Sequence, residues 1–257
     1  MPVKREIWQT SYDNKFSTAL PCPRCETGMV RRGNEAVLVK ETEYSKINHT
    51  DENFDPDWIR ESFATLLTCD NHVCGEIVAV SGRAGVEYVY DEDECGRQVN
   101  SGLDMVLRPV SMYPAPPLFH ISEKFPEEVK IELKLAFQLF WADLSASTSR
   151  LRTSLERVLD ERRVDKEGKN KKGEVYRLSL RERIDLFEQK TNDPDSAESM
   201  KALRIVGNIG THGNHVARDD YFNLLDVYEA VLLELYEQRQ AMLKAKKQAL
   251  IELDNKY

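Results

Sequence analysis

Two short cysteine turns constrain this chain more than any other feature of its sequence. Four of the five cysteines fall into Cys22-Pro23-Arg24-Cys25 and Cys69-Asp70-Asn71-His72-Val73-Cys74, and a glycine follows each pair, Gly28 and Gly75. An odd cysteine count with no sign of an oxidising compartment argues against a disulfide framework. A tight turn aims backbone N–H groups at its own thiolates, and two such turns complete a tetrahedral four-sulfur site suited to zinc. The metal ligands expected are therefore Cys22, Cys25, Cys69 and Cys74, with His72 as an alternative to one cysteine. A redox-active pair and unrelated buried cysteines are the competing readings. Cys95 stands alone in Asp91-Glu92-Asp93-Glu94-Cys95-Gly96 and fits neither turn. Four thiolates leave no open position for water, so the zinc expected is structural.

Strand-like segments flank the turns: Ala36–Val39 between them, then Glu76–Val80 and Val86–Tyr90 after the second. Short strands around two cysteine turns describe a zinc ribbon. The acidic aromatic stretch Asp51–Trp58 also lies between the turns.

The rest of the 257 residues read differently. Residues 108–126 hold five prolines, including Pro114, Pro116 and Pro117, and read as an extended linker. Beyond Pro126, Val129, Leu133, Phe137, Phe140, Leu144, Leu151, Leu155 and Val158 form one apolar stripe along a helix of roughly 35 residues. Lys166–Gly173 breaks the pattern as a solvated loop. Ser179 and Glu182 form a capping box for the next helix. Asp193-Pro194 starts another, which dissolves into the glycine-rich stretch Gly207–Gly213. A last helix begins near Asp219-Asp220 and runs almost to the end, its basic Lys244–Lys247 part projecting. The expected fold class is α+β: a small N-terminal zinc-ribbon β module over 1–107, a proline-rich linker over 108–125, and an all-α four-helix bundle over 126–257.

A net charge of -8 disfavours a protein that coats nucleic acid. The negative charge sits partly in loops such as Asp51–Asp57, however, while Arg150–Arg152, Lys169–Lys172 and Lys244–Lys247 supply local positive faces. No apolar run reaches the roughly 18–20 residues that span a bilayer, and the N-terminus lacks an apolar signal core. The expectation is a cytoplasmic protein without a membrane partner. No phosphate loop, His-Glu-x-x-His element or recognisable nucleophile motif is present.

One helical segment carries more than packing. Arg204-Ile205-Val206-Gly207-Asn208-Ile209-Gly210-Thr211-His212-Gly213-Asn214-His215 sets an arginine, two asparagines and two histidines beside three glycines. The first long helix adds Arg152 and Glu156 on one face at i, i+4 spacing. Three accounts fit. Asn208 and His212 satisfy each other at a helix end while the glycines permit close packing and Arg152 pairs with Glu156. Alternatively, His212 is a general acid/base with Arg204 offsetting phosphate charge. In the third, the cluster binds an anion without chemistry.

The elements Arg152-x-x-Leu155-Glu156, Leu180-x-x-Arg183-Ile184 and Leu203-Arg204-x-x-Gly207-Asn208-x-x-x-His212-Gly213 resemble the helical domain of unknown function 4145, which is grouped with the HEPN superfamily (higher eukaryotes and prokaryotes nucleotide-binding). Members often carry a cysteine-knuckle module on the N-terminal side. The resemblance implies a HEPN-like bundle and a place among bacterial defence, toxin–antitoxin or mobile-element proteins. Ribonucleases of that superfamily place four to six residues between a catalytic arginine and histidine and work as dimers. Here seven separate Arg204 from His212, and an offset of eight turns a helix by about 800°, off one face. The function expected is thus a non-catalytic regulatory or interaction protein engaging a protein partner or nucleic acid, RNA before DNA, through Arg152, Glu156, Asn208 and His212. The alternative is a metal-independent endoribonuclease whose homodimer joins two Arg204/Asn208/His212 clusters through the helical domain.

Overall fold

A computed structural model describes residues 3–34, 36–92, 98–211 and 216–254, with backbone alone for 89–92, 98–101, 206, 208–211, 239–241, 253 and 254. The fold is α+β, an antiparallel sheet in the N-terminal part and helices in the C-terminal part. Contacts divide it into a β unit, Lys4–Leu118 with Phe137–Ala142, and a helical unit, Met1–Val3 with Phe119–Ala136 and Asp143–Tyr257. Among the described residues no helix is long and apolar enough to cross a membrane.

The β unit contains β1 (Tyr12–Asp13), β2 (Leu20–Pro21), β3 (Met29–Arg32), β4 (Leu38–Glu41), α1 (Glu43–Asn48), β5 (Glu61–Cys69), β6 (Ile77–Glu92) and β7 (Gln98–Tyr113). The sheet order is β1-β7-β6-β5-β3-β2, with β4 also paired to β5. Alternation explains β5: Phe63, Thr65, Leu67 and Cys69 are buried while the residues between them face solvent. The strand candidates 76–80 and 86–90 are one strand, β6, paired to β5 at one edge and β7 at the other. The proline-rich stretch from 108 gives its first residues to β7, which ends at Tyr113. Trp8 anchors this unit's core, 2% exposed, with its ring 6.3 Å from Phe140 and 6.1 Å from Trp141.

The helical unit contains most of α2 (Glu127–Leu139), then α3 (Leu144–Glu161), a hairpin of β8 (Glu167–Lys169) and β9 (Val175–Arg177), α4 (Leu180–Thr191), α5 (Pro194–Thr211), α6 (Arg218–Glu237) and α7 (Arg239–Asp254). Four expectations are corrected here. The helix of roughly 35 residues is two, because the Asp143 carboxylate accepts the Ser145 and Ala146 N–H groups and starts α3 afresh. The lysine-rich loop is a hairpin, closed by the Asn170 N–H on the Glu174 carbonyl. The glycine-rich end of α5 stays helical to Thr211. The last helix breaks at Gln238, which takes the left-handed conformation (φ 53°), so α7 is separate and largely exposed.

The other helix starts follow local chemistry. The capping box at Ser179 and Glu182 is complete, and the Asp193 carboxylate accepts the Ser196 N–H at 3.1 Å. Inside the unit α5 packs against α3, α4 and α6. Two buried polar rungs join α3 to α6. The Tyr221 hydroxyl lies 2.6 Å from Ser147 Oγ, and the Tyr228 hydroxyl donates to Ser154 Oγ at 2.8 Å. Each partner steps seven residues in the same sense, so α3 and α6 run parallel. Burial pushes both tyrosine hydroxyls far above their usual titration range.

Candidate functional site

β3 pairs with the end of β5, placing Val30 opposite Cys69, and this register draws the two cysteine turns together. In the first turn the Glu26 N–H bonds the Cys22 carbonyl, the Cys22 N–H bonds the Gly28 carbonyl, and Glu26 takes a left-handed φ of 52°. In the second, the Cys74 and Gly75 N–H groups both bond the Asn71 carbonyl. Asp70 clips the turns together: its carboxylate accepts the Met29 N–H at 2.8 Å and pairs with Arg31 at 3.3 Å. The Met29 N–H holds the Asp70 carboxyl below the usual carboxylate range, with help from Arg31 against a smaller opposing effect of burial.

The sulfurs of Cys22, Cys25, Cys69 and Cys74 all lie within 4.8 Å of one another. Cys22–Cys74 and Cys25–Cys69 are each 3.7 Å apart, far beyond a disulfide bond. Four sulfurs about 2.3 Å from a central zinc stand about 3.8 Å apart, so the donor set fits a tetrahedral ion. N–H groups of Arg24 and Gly28 reach Cys22 Sγ and Cys25 Sγ at 3.5 and 3.3 Å, the donor pattern that steadies thiolates. The Thr27 hydroxyl and the Gly28 N–H pull the Cys25 thiol down to about 6, while burial pushes Cys69 up to about 12 and raises Cys74. Gly28 is required sterically, because a Cβ there would lie 2.6 Å from Cys69 Sγ. His72 is exposed and outside the cluster, and Cys95 lies outside the described residues. An ion held by all four thiolates has no open position, so it would cross-link the turns rather than perform chemistry.

In the helical unit, Arg152 and Glu156 are brought together at 3.7 Å on α3. Gly207 of α5 packs against the same arginine: a Cβ there would meet Arg152 Cβ at 3.2 Å. Gly207 thus serves close packing of α5 on α3. Arg204 is half-buried on α5, and its Nε has no hydrogen-bond partner among the described residues. Asn208 lies one turn further along α5, while His212 lies outside the described residues.

Arg152 and Glu156 also line a cleft of about 530 Å³ between α3, the β8–β9 hairpin and the start of α4. Three cations converge there on one carboxylate: Arg183 at 2.7 Å, Lys166 at 2.9 Å and Arg157 at 3.5 Å from Asp160. Burial pushes the Asp160 carboxyl up, but hydrogen bonds from Lys166 and Arg183 bring it below its ordinary value. Sequence reasoning placed Arg183 in a family-like element without giving it a role. The signal was there, since Arg183 shares a helix face with Leu180, Ile184 and Phe187, all buried, and a charge on such a face needs partners.

Residues 10–110 match a family described as Domain of unknown function (DUF8608), and residues 134–254 match Domain of unknown function (DUF4145). The second match bears out the resemblance to the domain of unknown function 4145 read from the sequence. No curated protein and no solved structure matches the chain.

Proposed function

We propose that this is a zinc-containing, non-catalytic binding protein of a prokaryotic defence or mobile-element system. Its zinc-ribbon module is structural, and its HEPN-like helical bundle engages RNA along the α3 face. The observation that carries the reading is the cleft beside Arg152, lined by five cationic side chains against three carboxylates. Local cation excess on an acidic chain is what phosphate-backbone recognition needs, whatever the net charge.

Fluorescence anisotropy with a short single-stranded RNA tests this. Binding that weakens steeply with salt and falls in Arg177→Glu is expected, since exposed Arg177 lines the cleft. No RNA binding at low salt would overturn it. The same preparations report cleavage. Cleavage that disappears in His212→Ala would replace this reading with the endoribonuclease one. Metal analysis of the purified chain should return about one zinc per chain for a four-cysteine site.

A further inference from the structure

The cation cluster around Asp160 is more specific than a general phosphate track. Three cations share one carboxylate, and the cleft as a whole has an excess of two positive charges: Arg152, Arg157, Lys166, Arg177 and Arg183 against Glu156, Asp160 and Glu182. Arg183 is 7% exposed in its side chain, so this charge is built into the fold rather than scattered over a surface. Its Nη2 is committed to Asp160 and to the Val164 carbonyl at 3.2 Å. The buried Nε atoms of Arg183 and of Arg157 find no acceptor among the described residues. A ligand in the cleft cannot reach those buried atoms, but the partly exposed Arg157 and Lys166 side chains line it and offer their outer donors to an oxyanion with several acceptor oxygens.

The ligand chemistry follows from charge and size. A diester phosphate carries one negative charge and is met by cations strung along a groove. A terminal monoester carries about -1.5 to -2 at pH 7 and offers three acceptor oxygens at one point. An excess of two positive charges gathered at one carboxylate matches the second. The volume, about 530 Å³, falls in the range of a small-molecule site rather than a polymer channel. Tyr176 lines the same cleft, 41% exposed, with its hydroxyl donating to Glu182 at 2.9 Å. A ring restrained in this way is a stacking surface for an adjoining base.

We propose that this cleft seats a terminal phosphate monoester, carried by an RNA end or by a free nucleotide, on Arg157, Lys166 and Arg183 with Tyr176 beside the base. The RNA-end form rests on the RNA-binding reading above; the nucleotide form does not.

The test uses the full chain and one short RNA carrying a 5′-phosphate, a 3′-phosphate or neither, with a nucleoside monophosphate and its nucleoside as separate titrants. One phosphorylated RNA should bind about tenfold tighter than the RNA with two hydroxyl ends. That advantage should shrink below about pH 6, where the monoester gains a proton. Lys166→Gln should reduce the advantage with only a small fall in melting temperature, because Lys166 is 62% exposed in its side chain; Arg157→Gln gives the second reading. Monophosphate binding without RNA binding, lost in either variant, supports the seat and removes the RNA reading. Equal affinity for all three RNAs together with no monophosphate binding overturns the seat and leaves RNA binding standing. Binding of neither RNA nor monophosphate overturns both.

Discussion

In the β unit four thiols converge to within 4.8 Å of one another, and in the helical unit three cations converge on one carboxylate. Both clusters are incomplete as protein alone, with opposite signs. The sulfurs form a donor set that could hold a metal ion, and burial raises the Cys69 thiol above its ordinary value. The cations around Asp160 have already found a carboxylate and still exceed it. Both units carry apolar cores, but the cluster in the first is a set of donors that could hold a cation, whereas the cluster in the second has a net positive charge.

Stripping metal should separate the two units most strongly. Structural zinc contributes about 10–16 kcal/mol in small domains. A strong chelator should thus destabilise the β unit, followed by tryptophan fluorescence, well before helical circular dichroism is lost. Loss of both together would break the comparison. Gly28→Ala should come next, because its Cβ would collide with Cys69 Sγ. A zinc affinity lower by about 10–100-fold is expected in competition with a colorimetric chelator, and an unchanged value would contradict the geometry.

Tyr228→Phe probes the other unit. Removing the donor to buried Ser154 should cost about 1 kcal/mol in denaturant unfolding followed by helicity, with zinc content unchanged. Acid gives the smallest effect. The Asp160 carboxyl sits below its ordinary value when folded, so the unfolded chain binds that proton more tightly. Its stabilisation is complete above the unfolded value of about 3.9 and is lost as pH falls through the lower folded value. Asp160→Asn should flatten the acid limb of the stability profile, read by thermal unfolding across pH.

What was legible in the sequence was local. Cysteine spacing named all four sulfurs of the cluster, because a turn with its ligands is a few residues long. The Ser179 box and the Asp193-Pro194 start were readable for the same reason. What escaped depended on distant neighbours. Ser81-Gly82-Arg83-Ala84 looks like a turn, yet β6 passes through it paired to β5 on one side and β7 on the other. Gly207 looks like a helix terminator until Arg152 is seen against it. Asp160 is one acidic residue among many until Lys166 and Arg183 arrive from the hairpin and α4. The break at Asp143 was within reach, since an aspartate before Leu144-Ser145 is an ordinary helix cap hidden inside a continuous apolar stripe.

The two tyrosine–serine rungs between α3 and α6 have a further effect. A pair of smooth apolar helices can slide by a turn and repack at modest cost. These two cannot, because any displacement along their axes strands both tyrosine hydroxyls at once. The rungs act as a latch with a single position. Arg152 and Arg157 sit on the helix so latched, so the height of the cleft wall is set from inside the core, independent of whatever comes to rest against it.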